Sequence, residues 1–230
     1  MAAGGGARAE DEARDELESL LAGCSTSHLR LLDTVAGLDE AGVRDPSRLE
    51  GWTRGHVLTH LARNADAHTR MLGAALRGQS VEAYAGGREE RATAIEAGAG
   101  RDVAMLLDDV TRSISDLESA WAAMTPDAWD GHGLSRGREW PCRAMPYFRW
   151  REVEMHHVDL GVGYDTEDWP EEYVRRELAL TLATVPGRLA DGSQRRALLA
   201  WLTGRSPSPG ELDLAGWESR PGNYAKGVVG

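Results

Sequence analysis

Residues 54–76 of this 230-residue chain read RGHVLTHLARNADAHTRMLGAAL and predict the central helix of the fold. Apolar residues recur in this stretch every three or four positions, as they do on one face of an amphipathic helix. Thr53 precedes it, and its hydroxyl is well placed to cap the first turn. The stretch also carries His56, His60 and His68, spaced at multiples of four residues. It therefore predicts both a packed helix and a candidate site.

The same periodicity predicts three more long helices. One is expected to end near Gly37, another lies between Gly100 and Pro126, and a last one follows Pro146 and closes at Gly161. Four long helical segments joined with one long crossover are typical of a helix bundle. The sequence therefore predicts a mainly α fold.

The connections between these helices set the expected domain organisation. The crossover GGREERATAIEAGAG (86–100) is polar and is expected to hold a short helix. Residues 126–146 are rich in Gly, Pro and Trp, which indicates an irregular connection with room for a short hairpin. We expect the bundle to cover residues 10–165. Residues 166–230 are expected to form a small C-terminal α or α+β module, with a short strand in SPSPGELDLAGW (206–217).

Composition and charge exclude several classes of function. The chain has 37 acidic and 26 basic residues, a formal net charge of −11, and such a field repels nucleic acids and anionic membrane surfaces. No apolar run approaches the roughly 20 residues of a spanning helix, and the N-terminus lacks a signal-peptide layout. A cytoplasmic protein is expected, binding neither nucleic acid nor membranes. Abundant Ala, Gly and Arg with a single lysine indicate a GC-rich, actinobacterium-like source.

The cysteines limit the kind of metal site that the chain can build. Cys24 and Cys142 are too few for a disulfide framework or a thiolate cluster, so any metal must be held by imidazole and carboxylate groups. Cys24 lies on an apolar stripe and is expected to be buried. Cys142 lies in a loop near the proposed mouth of the site and is expected to be accessible.

The last long helix carries a candidate ligand pair. Glu152 and His156 are four residues apart, so both project from one face, and Asp159 follows one turn later. A histidine from residues 54–76 would complete an N,N,O ligand set if the two helices are neighbours. Three such ligands with one open position are typical of catalytic zinc. The surrounding residues are largely apolar, where unpaired charge would be costly.

Other histidines and the arginines have alternative interpretations. His28 is expected to be packed and hydrogen-bonded, and His132 to be solvated. The remaining histidines, His56, His68 and His157, are expected to be structural. Arginines near the site could grip a substrate carboxylate in a bidentate way or form surface ion pairs of little worth. They are Arg143, Arg149, Arg151 and Arg205.

Four phrases in a fixed order carry a family resemblance. They are GWTRGHVLTHLARNADAHTRML (51–72), REERATAIEAGA (88–99), WREVEMHHVDLG (150–161) and LLAWLTGR (198–205). Together they resemble the mycothiol-dependent maleylpyruvate isomerase family, within the DinB-like four-helix bundle superfamily. The resemblance implies a divalent metal, usually Zn²⁺, held by one histidine of the second long helix and by a glutamate and a histidine of the fourth. The matching residues are His60, Glu152 and His156.

The resemblance also implies a reaction. Mycothiol, an actinobacterial thiol, would add as thiolate to the cis double bond of maleylpyruvate, and elimination after bond rotation would give fumarylpyruvate. Partners would be this thiol and a small anionic electrophile, and the protein would be a monomer or a small homo-oligomer. A C-terminal arginine of the family binds substrate; Arg205 matches best, with Arg220 as a rival. The alternatives are a mycothiol S-transferase acting on another electrophile and a non-catalytic, metal-binding regulatory bundle.

Overall fold

The computed structural model of the protein describes residues 3–189 and 191–215 and confirms the mainly helical fold. The chain divides into two compact units, the first ending at Tyr173 and the second beginning at Val174. The predicted domain bounds, 10–165 and 166–230, stay a prediction. The elements in chain order are α1 (Ala3–Val35), α2 (Glu40–Arg44), α3 (Arg54–Ala75), α4 (Gly87–Ala99), α5 (Val103–Ala123), α6 (Pro126–Trp129), β1 (His132–Ser135), β2 (Arg138–Pro141), α7 (Met145–Leu160), α8 (Glu171–Arg188) and α9 (Gly192–Leu202).

Helices α1, α3, α5 and α7 form a four-helix bundle in the first unit. Helix α3 packs against α5 and α7, and α1 packs against the same two helices. The core is apolar and fully buried, and each large aliphatic side chain within it contributes about 1.5–3 kcal/mol. Representative core residues are Leu31, Leu58, Leu61, Leu106 and Val153. Each of the four helices therefore has a fixed partner on two sides.

Helix α3 begins where the sequence predicts. The side chain of Thr53 accepts a hydrogen bond from the backbone N–H of His56, and Nδ1 of His56 accepts one from the backbone N–H of Thr53. Gly55 lies against the carbonyl oxygen of Ala99 at the end of α4, where a Cβ would overlap that atom. The crossover helix α4 therefore packs directly on α3.

Helix α7 has well-defined ends. A 3-10 turn, Cys142–Ala144, leads into it, and Pro146 lies in its first turn, where no backbone N–H donor is needed. It ends at Gly161, whose φ of 65° is the left-handed conformation that glycine adopts easily. Strands β1 and β2 form the antiparallel hairpin that precedes α7.

Several expectations require correction. Helix α1 begins at Ala3, before the expected start of the bundle at residue 10, although three of its first four residues are glycines, which are poor helix formers. Helix α2, which Asp39 caps, is too short to show periodicity and was not expected. Cys142 is fully buried rather than accessible, because the turn before α7 encloses it.

The second unit contains most of α8 and all of α9. In the described part of the chain up to residue 215, the segment 206–217 contains no strand; its only pairing is an isolated bridge between Leu189 and Leu214. The helical alternative of the predicted module therefore fits these residues. None of the helices in residues 3–189 and 191–215 combines the length and apolar character needed to cross a bilayer.

Candidate functional site

Helices α3 and α7 bring the three predicted ligands together. Nε2 of His60 lies 3.0 Å from Oε2 of Glu152 and 3.0 Å from Nε2 of His156. Nε2 of His156 lies 3.5 Å from the same carboxylate oxygen. Two imidazole nitrogens and one carboxylate oxygen thus converge on one point between the helices.

This donor set fits a small divalent cation. Ligand atoms about 2.0–2.1 Å from a tetrahedral zinc ion lie roughly 3.3 Å from one another. The observed separations of 3.0–3.5 Å include this value. The N,N,O composition is also one that zinc accepts, and three protein ligands leave a position open. Metal binding at this cluster stays a prediction.

Burial and mutual contacts shift the pKa values of all three groups. Burial, and then the charge of His156, lowers the pKa of His60 to about 4. Burial alone would lower the pKa of His156, but hydrogen bonds to Asp159 and Glu152 outweigh it and raise that pKa to about 9. Burial would raise the pKa of Glu152, but the two histidines hold it well below its usual range. The cluster thus holds an ionised carboxylate at neutral pH.

Two residues outside the cluster contact its histidine rings. Oδ2 of Asp159 lies 2.8 Å from Nδ1 of His156 and accepts a hydrogen bond from it. This contact directs Nε2 of that ring toward the cluster. Nη2 of Arg91, on α4, lies 3.1 Å from Nδ1 of His60. The cluster is therefore flanked by one anionic and one cationic group.

Two aromatic side chains, those of Trp52 and Tyr84, lie near the cluster. The Trp52 ring meets the His60 ring edge-on at a centroid distance of 5.9 Å. Tyr84, which precedes α4, donates a hydrogen bond to the carbonyl oxygen of Arg63 at 3.3 Å. Burial raises the pKa of Tyr84 to about 12, against the charge of Arg91, so its phenol keeps its proton at neutral pH.

Arg149, one turn before Glu152 on α7, is fully buried. It therefore does not form a surface ion pair, which was one of its two predicted roles. Its Nε donates to Nε2 of His28 at 3.0 Å, and its Nη1 donates to the carbonyl oxygen of Leu61 and to Oδ1 of Asn64, each at 2.8 Å. In residues 3–189 and 191–215 its Nη2 has no hydrogen-bond partner. A charged group therefore lies inside the bundle with neutral partners.

The other arginines have different surroundings. Arg143 pairs with Asp130 at 2.9 Å, and Arg151 is buried. Arg205 belongs to the second unit, is exposed, and donates to the carbonyl oxygen of Thr203. Its role in substrate binding stays a prediction. Arg220 lies outside the described residues.

The histidines outside the cluster have the structural surroundings that were expected. His28 is buried between Glu118 and Arg149, and His157 contacts Thr34. His132 is exposed by 40% of its side chain. His56 completes the cap of α3, while His68 is buried with neither ring nitrogen hydrogen-bonded in the described part of the chain.

Sequence reasoning did not single out Arg91 or Tyr84. Arg91 lies on the crossover helix α4, whose polar sequence gives no sign of which face meets α3, and Tyr84 precedes that helix. Asn64, at the same four-residue spacing on α3, was given no role. The buried position of Arg149 was also missed, because an arginine is usually solvated.

Comparison with known proteins identifies relatives. A family profile described as "Mycothiol maleylpyruvate isomerase N-terminal domain" matches residues 24–161. The fold is similar to the crystal structure of a mycothiol-dependent maleylpyruvate isomerase, with 31% identity, a TM-score of 0.66, and coverage of 69% of this chain and 66% of that one. A structure of a histidine-to-alanine mutant of such an enzyme matches equally well. The matched region thus spans just under two thirds of these relatives. No curated protein matches.

Proposed function

The chain belongs to the mycothiol maleylpyruvate isomerase family, and from this premise we propose that it is an enzyme that converts maleylpyruvate to fumarylpyruvate with mycothiol as cosubstrate. The observation that carries the proposal is the convergence of His60, Glu152 and His156 between α3 and α7. These residues come from two helices far apart in sequence, and the chain brings their donor atoms to within hydrogen-bond distance. Such a cluster is costly to bury unless a bound ion compensates it.

The three side chains would hold a divalent cation, with zinc the metal that suits them best. The bound cation would supply the positive charge that keeps a thiol deprotonated at neutral pH. The thiol would supply a nucleophile that adds reversibly and turns the cis double bond into a rotatable single bond. The protein itself contributes orientation, charge and exclusion of water.

Asp159 orients one ligand. It accepts a hydrogen bond from Nδ1 of His156, which directs Nε2 toward the cluster; because the pKa of His156 is about 9, a cation that binds there would displace the Nε2 proton. Glu152 remains ionised because the neighbouring imidazoles favour its charged form. Both features prepare the site before any ligand arrives, which lowers the cost of binding.

Arg91 has a role that follows from the protonation of His60. A guanidinium is only a donor, so its contact with Nδ1 of His60 requires the ring proton to lie on Nε2. Binding of a cation at Nε2 requires the opposite tautomer, with the proton on Nδ1. Arg91 must then turn away from His60, and its fork becomes available for an anionic oxygen of the substrate.

Tyr84 and Trp52 complete the site. Tyr84 keeps its phenol proton at neutral pH and can donate it in a hydrogen bond to an enolate oxygen, where negative charge develops during thiol addition. Trp52 covers one side of His60 with an apolar ring and limits access of water. Arg205 remains our proposed substrate arginine in the second unit, with Arg220 as the alternative.

The test is isomerisation of maleylpyruvate by the purified, zinc-loaded protein with and without mycothiol. We expect fumarylpyruvate to form only when the thiol is present, and His60→Ala to abolish its formation. His132→Ala, which changes an exposed histidine of the hairpin, is the matched control and should keep full activity. No conversion by metal-replete protein with mycothiol would contradict the isomerase proposal. Transfer of mycothiol to another electrophile would redirect it to an S-transferase.

The arginine of the second unit needs its own comparison. We expect Arg205→Met to raise KM for maleylpyruvate more than kcat falls, because a carboxylate grip acts mainly on binding. Arg220→Met serves as the rival variant. A larger rise in KM for Arg220→Met than for Arg205→Met would reassign the role.

A further inference from the structure

Arg149 is a buried cation whose partners in the described part of the chain carry no negative charge. It donates to an imidazole nitrogen, a backbone carbonyl oxygen and an amide oxygen, those of His28, Leu61 and Asn64. Its Nη2 has no partner there. Burying a charge in this way is costly unless an opposite charge compensates it. A guanidinium with one free N–H edge is therefore prepared for an anion.

A second buried donor lies near Arg149. His68 is 1% exposed and neither of its ring nitrogens has a hydrogen-bond partner in residues 3–189 and 191–215. Arg149 contacts Asn64, which lies one turn before His68 on α3, and its charge contributes to lowering the pKa of His68. Trp140 meets the His68 ring edge-on at 5.8 Å, and its own Nε1 is also buried without a partner. Three unpaired N–H groups of different residues thus occur in one region.

The face of α3 connects this region to the metal cluster. His60, Asn64 and His68 follow one another at steps of four residues, so they lie on one side of the helix. The first belongs to the cluster, the second contacts Arg149, and the third lacks a partner. On α7, Arg149 lies one turn before Glu152. The unpaired donors therefore lie next to the cluster, along the interface between α3 and α7.

The chemistry of the donors selects the ligand. Arginine, an imidazole N–H and an indole N–H all donate, and a carboxylate accepts through two oxygens with matching geometry to guanidinium. Arg91 contacts His60, and Arg149 contacts Asn64 one turn further along α3, so two cations border one face of that helix. A ligand that satisfies both carries two anionic groups separated by a short chain.

We propose that Arg149, with His68, binds one carboxylate of the substrate and selects for dicarboxylates, with Arg91 facing another anionic oxygen of the same molecule. This inference rests on the proposed function, because it assigns one end of the same substrate. Arg149 acts here as a specificity-determining residue that contacts substrate away from the reacting bond. It also gives a role to the Nη2 of Arg149, which has no hydrogen-bond partner in the described part of the chain.

The experiment measures binding without turnover. Isothermal titration of the zinc-loaded protein with maleate, a cis dicarboxylate, is compared with isocrotonate, its monocarboxylate counterpart. We expect the wild type to prefer maleate, and Arg149→Lys to bind maleate at least about tenfold more weakly, the scale of one charge-assisted hydrogen bond. The preference over isocrotonate should shrink in the same variant. Arg101→Lys, at a residue that contacts Gly98 and Asp109, is the matched control and should bind maleate as the wild type does.

Two results would overturn the proposal. One is wild-type affinity for maleate in Arg149→Lys that is folded and holds about one equivalent of zinc. The other is the absence of maleate binding by the wild type up to ~10 mM. The measurement of affinity separates this inference from the proposed reaction. If the protein is an active isomerase but Arg149→Lys binds maleate with unchanged affinity, only this inference is wrong. If Arg149→Lys binds maleate with altered affinity but the protein has no isomerase activity, only the proposed reaction is wrong.

If Arg149→Lys does not fold, maleate binding by His68→Leu tests the proposal instead. Leucine fills a similar volume and removes a donor that has no protein partner in the described chain, so the fold and the zinc content should be retained. We expect maleate binding to weaken several-fold. Binding of maleate with unchanged affinity would refute the subsite.

Discussion

The protonation of His28 is fixed by its neighbours. Nε of Arg149 can only donate, so Nε2 of His28 accepts and its proton lies on Nδ1, which donates to Glu118 at 2.9 Å. A second proton on Nε2 would face the guanidinium. Burial, and then the charge of Arg149, outweighs the opposing hydrogen bond and charge of Glu118 and lowers the pKa of His28 to about 4. His28 is therefore neutral in the folded protein near neutral pH.

This depressed pKa predicts how acid affects stability. In the unfolded chain His28 takes up a proton near pH 6.5, whereas in the folded protein it does so only near pH 4, so its contribution to stability is lost as pH falls through this interval. One pKa unit corresponds to about 1.4 kcal/mol, which limits the effect to about 3 kcal/mol. Urea unfolding at several pH values should show a shallower acid loss for His28→Gln than for the wild type. His132→Gln should follow the wild-type curve, and parallel curves for His28→Gln would refute the assignment.

Asp159 predicts an effect on metal affinity through the ring it orients. Asp159→Asn removes the charge that accepts the Nδ1 proton of His156. We expect zinc affinity to fall by about 10–100-fold, the usual cost of losing a partner of a ligating histidine. Competition with a chromogenic chelator measures this change. Asp165→Asn, which alters an exposed pair with Arg48, is the control, and equal affinities in both variants would argue against a ligand role for His156.

At the scale of helices, the contact between α3 and α4 depends on a glycine. A Cβ at Gly55 would overlap the carbonyl oxygen of Ala99, so Gly55→Ala should destabilise the protein by about 1–3 kcal/mol. Gly73→Ala on the same helix is the matched control, because its Cβ would have nothing nearer than Nη1 of Arg77 at 3.8 Å. That variant should gain up to about 1 kcal/mol from helix propensity. Thermal unfolding of both proteins tests the pair, and equal stabilities would contradict the packing.

The long helices were predictable because their apolar residues repeat at the helical period and their caps are visible in sequence. Thr53 and Gly161 mark the start of α3 and the end of α7 as expected. The placement of α4 was not predictable, since it depends on a close approach at Gly55 that no periodicity encodes. For the same reason no sequence pattern indicated that Arg91 would reach the face of α3.

At the scale of the whole molecule, the negative net charge of the chain contrasts with the two arginines near the cluster. The chain carries a net charge of −11, yet Arg91 and Arg149 border the cluster. Under the proposed function, a small dianion would cross a repulsive field and then meet donors within the bundle. The ligand cluster was predictable from spacing and family resemblance together. The buried arginine was not, because its burial depends on the packing of α7 against α1 and α3.

Metal binding should couple to the stability of the whole first unit. The apolar core does not include His60, Glu152 or His156, so the protein should remain folded when a chelator removes the metal. Zinc should add stability because it binds only the folded chain. At a free zinc concentration 100 times Kd the gain should be about 2.7 kcal/mol. Thermal unfolding with and without zinc should show this gain in the wild type and in His132→Ala. It should be absent in His60→Ala, and an equal gain in that variant would mean that zinc binds elsewhere.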